Sequence, residues 1–299
     1  MNDRPLKGIA LMAVAVFLII VMNMFARIAN AEHTTIETVF YRNLVALILV
    51  VAVIISTRNF SLFKTTRLKD QIIRGTSGTV GMSLVFWAYT LMPMADVVAV
   101  MFTAGLMTTG ISAIWLKEKV GPYRWGAVIL GFVGAMIIAA PGGESEWNIM
   151  GVLVALGAAF IGGAVVSVML RSLGKTEPAL TTVFYFLSIG LILTLPFAVT
   201  IGHMPSQTSW QPLLWCGLAG GLSLILKTQA FRYAEASLLS PVQYTSIIWA
   251  TLLGFFVFSE WPADNVLLGA GVIILSNLVI LWREKKRNLP QPPVVTTPQ

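Results

Sequence analysis

Ten apolar stretches follow one another along this chain of 299 residues, separated only by short polar turns. They run at roughly 7–28, 36–56, 72–91, 95–116, 122–140, 148–170, 178–201, 211–234, 238–259 and 264–282. Each is long enough, at 1.5 Å per helical residue, to cross about 30 Å of hydrocarbon. Bilayer interior offers the backbone no hydrogen-bonding partner, so a spanning segment of this kind must satisfy its own N–H and C=O groups as a helix. Composition agrees: 57% of residues are hydrophobic and only 11% are charged, where soluble domains are nearer a quarter charged. The predicted fold class is an all-α integral membrane protein with ten transmembrane helices.

The net charge of +7 does not point to nucleic acid. Basic residues sit in short runs between apolar stretches and at the C-terminus, as in loops that face anionic lipid. With the N-terminus inside, the inner segments hold all of the 20 Lys and Arg except Arg27, Arg42 and Lys227, and Arg74 is counted with them. Outer turns carry Glu32, Asp96, Glu144, Glu146 and Glu260 instead. The positive-inside rule then puts both termini in the cytoplasm. Arg4, Lys7, the first apolar run and Ala29-Asn30-Ala31 imitate a signal peptide with its cleavage site. That run is longer than a usual signal core and has a counterpart at 148–170, so it is expected to stay as a helix.

The tetrapeptide TVFY occurs at 38–41 and again at 182–185. Ala88-Tyr89 is matched by Ala230-Phe231, and Glu118 by Glu260. Five helices per copy means that the second copy enters the membrane upside down. The loops agree, since KEKVGPYR at 117–124 is basic and its counterpart SEWPADN at 259–265 has no positive charge. The expected organisation is a first repeat at 1–142, a second, inverted repeat at 143–284, and a Pro-rich, disordered cytoplasmic tail at 285–299. Inverted repeats are a recurrent transporter plan, with the substrate near the midplane where the halves meet. The copies differ at one telling place: Arg42-Asn43 follows the first TVFY, and Phe186-Leu187 the second.

ETVFYRN at 37–43, FWAYTLMPMADVVAVMFTA at 86–104, the glycine-rich run from Glu118 to Ile138, and SPVQYTSIIWATLLGFFVFSEWP at 240–262 together resemble the drug/metabolite transporter superfamily, in its EamA-like branch of ten-helix bacterial carriers. The resemblance covers essentially the whole chain. It implies a central cavity surrounded by the third, fourth, eighth and ninth helices. Gly105 stands where relatives usually have Pro, which takes away a proline-set bend in the fourth helix.

Arg42 lies about a turn and a half inside the second span, where a charge costs at least a few kcal/mol unless it finds a partner. Either it pins that helix by bonding backbone carbonyls or Glu37, or it contacts substrate. Asn43 goes with it. Glu37 is the carboxylate nearest a span on the outer side; it is placed to carry a coupling proton or to pair with Arg42. Lys227 sits about two turns from the cytoplasmic end of a helix that the resemblance makes cavity-lining. It either snorkels to the surface or faces the cavity, where it would favour a carboxylate, a phosphate or an electron-rich ring. Trp87 and Trp249 lie too deep in their spans for the interfacial belt. Gln243 and Tyr244 follow Pro241, whose missing N–H frees a carbonyl and leaves a broken, polar segment. With Thr103, these are the candidate substrate contacts. Asn23 and Asn277 read as helix–helix glue. The glycines at 126–140 and 269–276 are spaced for tight packing, within the monomer or against a second copy in a homodimer.

Enzyme chemistry finds no support. His33 and His203 lack carboxylate or cysteine partners at metal spacing, PGG at 141–143 lacks the Lys and Ser/Thr of a phosphate loop, and Cys216 stands alone. No metal and no cofactor are expected, and the rings of charge or carbonyls that a channel would use are not visible. The expected function is a secondary transporter in the bacterial inner membrane. It would move a small organic metabolite by alternating access, with proton coupling open. The alternative is a non-transporting receptor or assembly subunit, for which the short tail offers little docking surface.

Overall fold

The computed structural model describes residues 5–115, 122–139, 149–174, 176–200, 209–233 and 242–286, with isolated positions at 202, 205, 206 and 239. The loop carrying Glu118 and Lys119, the PGG turn with Glu144 and Glu146, His203, Pro241 and the tail from 287 lie outside the described residues.

The described chain is helical, and no strand occurs among the described residues. In order, the helices are α1 (Pro5–Ala29), α2 (Thr35–Ser56), α3 (Leu68–Leu91), α4 (Met94–Met101), α5 (Thr103–Trp115), α6 (Pro122–Ala139), α7 (Ile149–Ala158), α8 (Val166–Leu173), α9 (Ala179–Thr200), α10 (Trp210–Tyr233), α11 (Ser246–Phe258) and α12 (Asp264–Lys286). A short 3₁₀ turn at Phe60–Phe63 precedes α3, and a π-helical segment at Ala159–Val165 joins α7 to α8. Length and hydropathy suffice to cross a membrane at Leu6–Ala29, Thr35–Ser56, Ile149–Leu170, Ala179–Thr200 and Trp210–Phe231. Shorter apolar helices fill Met94–Thr108, Ile129–Ile138, Ser246–Phe258 and Asp264–Val279.

Three expected spans differ in detail. Helix α3 begins at Leu68, four residues before the expected start at 72, and so takes Lys69 and Asp70 into its first turn. The span expected at 95–116 is interrupted at Phe102, even though Gly105 replaces the expected proline. Asn277 of α12 explains how the break is tolerated: its Nδ2 donates to the Phe102 carbonyl at 3.2 Å and to the Ile273 carbonyl at 2.9 Å. Asn277 is thus the helix–helix glue that its residue type suggested. A Cβ on Gly105 would stand 2.5 Å from Asn277 Oδ1, so the glycine makes room for the amide rather than for a bend. The last departure is α11, described as helix from Ser246, with Gln243 near its approach and Tyr244 in the turn before it. That turn is held by Thr245 and Ser246 hydroxyls donating to the carbonyls of Val242 and Gln243, each at 2.7 Å.

The chain separates into two compact units. One comprises residues up to Thr79 together with Met169–Ser246. Here α1 packs along α10, and α2 packs against both α9 and α10. Small residues permit the close approach: a Cβ on Gly221 of α10 would be 3.1 Å from the Ala46 Cα of α2. Loop residues are tied down as well. Thr66 donates its N–H and hydroxyl to Glu177 Oε1 at 3.0 and 2.8 Å, and Arg67 binds Ser172 through both terminal nitrogens at 2.8 Å.

The other unit comprises Val80–Val168 and the chain from Ile247. Its α6 and α12 cross at glycine: a Cβ on Gly134 would lie 2.9 Å from the Gly269 carbonyl oxygen. The π-helical segment places Gly162 so close to Gly81 of α3 that a Cβ on either would collide with backbone. The expected small-residue packing of α6 and α12 therefore takes place within the monomer.

Candidate functional site

Arg42 is the largest fully buried side chain described, at 1% exposure. Its Nη1 donates to Asn43 Oδ1 at 2.8 Å, and its guanidinium carbon lies 5.7 Å from the centroid of the Phe186 ring. Arg74, from the first turns of α3, approaches the same ring to 4.1 Å and is 6% exposed. Two guanidinium groups from α2 and α3 therefore share one aromatic ring of α9. Phe186, at the position after the second TVFY, receives the charge that follows the first.

Glycines make the space. A Cβ on Gly78 would fall 2.8 Å from Phe186 Cε2, one on Gly190 2.5 Å from Asn43 Nδ2, and one on Gly220 2.9 Å from Arg42 Nε. Alanine at any of the three would push a member of the cluster aside. Several buried donors and acceptors in it have no hydrogen-bonding partner: Arg42 Nε, Asn43 Nδ2, Arg74 Nε and Nη1, and Gln71 Oε1 one turn before Arg74. Lys227 of α10 is partly buried and close enough to Arg74 for the two charges to interact, as Arg74 and Arg42 also do.

Acids stay away from this cluster. Glu37 is buried, but as the third residue of a capping box: Thr34 donates its N–H and its hydroxyl to Oε2, both at 2.7 Å, and receives the Glu37 N–H. Its Oε1 faces His33 Nδ1 at 3.8 Å. Pairing with Arg42, one of the expected readings of both residues, does not occur, because Glu37 is turned back on the helix start. Asp70 pairs with Arg67 at 2.8 Å, Glu177 holds Thr66, and Glu32 accepts from Ser206 at 3.3 Å.

The other expected contacts are placed as follows. Within the same unit, Gln243 and Tyr244 are partly buried at the entry to α11. In the second unit, Trp87 is 44% exposed on α3, Trp249 is partly buried on α11, and Thr103 is 1% exposed. The Thr103 hydroxyl donates to the Val100 carbonyl at 2.7 Å, which caps the interrupted helix. Arg74 is the residue that sequence reasoning missed. It falls inside the span expected at 72–91, yet it counts there among the cytoplasmic charges as a basic residue near the inner end. The available signal was the one-turn spacing of Gln71, Arg74 and Gly78, which puts polar and small residues on one face.

Comparison with known proteins supplies the rest. Residues 6–140 match the EamA-like transporter family, and residues 149–282 match it a second time. The chain belongs to the EamA-like transporter family. It is accordingly a multi-pass membrane protein of a transporter family rather than of an enzyme family. Among EamA-like relatives, a riboflavin transporter of Vibrio cholerae is 30% identical over 95% of this chain and 96% of its own. The pseudopaline exporter CntI of Pseudomonas aeruginosa is 26% identical over 95% and 99%. An S-adenosylmethionine uptake transporter of Rickettsia bellii is 27% identical over 75% and 76%. A protein of known crystal structure shares the fold with a TM-score of 0.65, at 17% identity and covering 94% of this chain and 99% of the other.

Proposed function

We propose that this chain is a secondary carrier of the bacterial inner membrane that moves a small organic metabolite by alternating access. The observation that carries this reading is the double family match, which spans nearly the whole chain. Relatives with both uptake and export names handle organic metabolites of moderate size, and the same substrate class is proposed here.

The architecture proposed with it is ten transmembrane helices in two inverted repeats, 1–142 and 143–284, with both termini cytoplasmic. Two helix pairings favour it. A two-fold relation between repeats would pair α2 with α9 and α6 with α12, each helix with its own counterpart, and both pairs are in contact. Arg42 and Phe186, equivalent by the TVFY repeat, meet at the first of these pairings. Lys227, Gln243, Tyr244, Trp87, Thr103 and Trp249 are the proposed substrate contacts. Of these, Thr103 would act through its methyl group, because its hydroxyl is engaged with its own helix.

The test is uptake by proteoliposomes and inverted vesicles, screened by mass spectrometry across amino acids, vitamins, nucleoside derivatives and organic acids. A pH-gradient arm separates proton coupling from facilitated movement. Accumulation of at least one class above protein-free vesicles is expected. A well-folded reconstituted chain that moves none of them, in either orientation, sinks the carrier reading.

A further inference from the structure

Five unpartnered polar atoms and two guanidinium groups sharing the Phe186 ring lie together in the unit that contains α1, α2, α9 and α10. Lys227 belongs to the same unit, and no ion pair with a carboxylate answers these groups among its described residues. The residues are Arg42, Asn43, Gln71, Arg74, Phe186 and Lys227. A buried positive charge without a partner is costly, and more so in a membrane protein. Helix anchoring alone does not account for the arrangement. An anchoring arginine would spend its N–H groups on carbonyls or a carboxylate, whereas Arg74 leaves Nε and Nη1 without acceptors and rests its face on Phe186. Stacking on the ring holds a guanidinium plane still while leaving its in-plane donors available. Asn43, tied to Arg42 through Oδ1, likewise keeps Nδ2 as a donor. Almost every unanswered atom is a donor or a cation. The complement of such a set is an oxyanion.

We propose that Arg42, Arg74 and Lys227, steadied by Asn43 and the Phe186 ring, form a binding site for the carboxylate or phosphate group of a small organic metabolite. Only in taking that metabolite to be the transported one does this rest on the carrier reading. Arg74 and Lys227 supply the ion pairs, Arg42 Nε and Asn43 Nδ2 supply directed hydrogen bonds, and the flanking glycines Gly78 and Gly220 leave the guanidinium groups their space. A neutral substrate would leave the charges as unanswered as they are without it, so the site selects for charge first.

Binding is read by thermal unfolding of the full chain in phosphatidylcholine nanodiscs. The probes are monocarboxylates and phosphate monoesters, each beside its neutral amide or alcohol counterpart. At least one oxyanion should raise the unfolding midpoint in proportion to its concentration, and its neutral counterpart should not. Arg74→Met should weaken the apparent affinity tenfold or more, equivalent to about 1.4 kcal/mol, and Arg74→Lys should restore only part of it. Lys227→Met, at a less buried position, gives the same test should Arg74→Met fail to fold. Equal stabilisation by neutral counterparts, an oxyanion effect that survives both substitutions, or no response to any oxyanion overturns the proposal. Stabilisation by phosphatidylglycerol alone, lost in the variants, assigns the site to a lipid headgroup and also overturns it. If a transported compound is moved equally well by wild type, Arg74→Met and Lys227→Met, the carrier reading stands and the site does not.

Discussion

Replacing Phe186 with leucine tests the arginine–aromatic contact directly. Desolvated cation–π contacts contribute about 2 kcal/mol and more exposed ones about 0.5–1, within roughly 6 Å of the ring centroid. Arg74 at 4.1 Å and deeply buried belongs to the first kind, and Arg42 at 5.7 Å is near the limit. Phe186→Leu should therefore lose about 2.5–3 kcal/mol of electrostatic stabilisation and about 1 kcal/mol of packing. Arg74→Met alone is ambiguous, since it removes the favourable contact and the cost of an unpaired buried charge together. The double-mutant cycle of Phe186→Leu with Arg74→Met cancels those private terms and should leave a coupling near 2 kcal/mol. Unfolding in mixed micelles titrated with a denaturing detergent, followed by the fluorescence of the nine tryptophans, measures all four proteins. A coupling below about 0.5 kcal/mol would mean that Phe186 only fills space, and the account of why the two TVFY copies diverge would fall with it.

Asn277→Leu removes the partner of the Phe102 carbonyl at the break between α4 and α5; a loss of about 1–3 kcal/mol in the same unfolding assay is expected, and no loss would show that the break needs no support. Glu37→Ala should cost about 1 kcal/mol as a lost cap, while Glu37→Gln keeps the box and should keep transport. Abolished transport by a stable Glu37→Gln would instead assign Glu37 to coupling. A cysteine placed at Ser206, in a chain with Cys216 replaced, should react with an impermeant maleimide in intact cells, and one at Lys64 only after permeabilisation. The reverse pattern would invert the proposed topology.

Hydropathy determined the class of this protein by itself, because the bilayer admits few solutions for a long apolar segment, and the described helices follow the expected spans closely. The family resemblance rested on the stretches at 37–43, 86–104, 118–138 and 240–262, which are legible as plain strings of residues. Individual side chains were less legible. Glu37 and Arg42 lie five residues apart, and the sequence leaves open whether they meet; the Thr34 cap turns one toward the helix start, and burial against α9 and α10 commits the other to Asn43 and Phe186. Arg74 read as one more inner charge because it stands near the cytoplasmic end of its span, where basic residues are ordinary. Its role emerged only when α3 set it against Phe186, more than a hundred residues away. Gly105 looked like a missing bend, yet the chain breaks at Phe102 because Asn277 reaches across from α12 to take the freed carbonyl. Local composition decides which segments enter the membrane; contacts between distant segments decide which polar groups are answered inside it and which are left for a ligand.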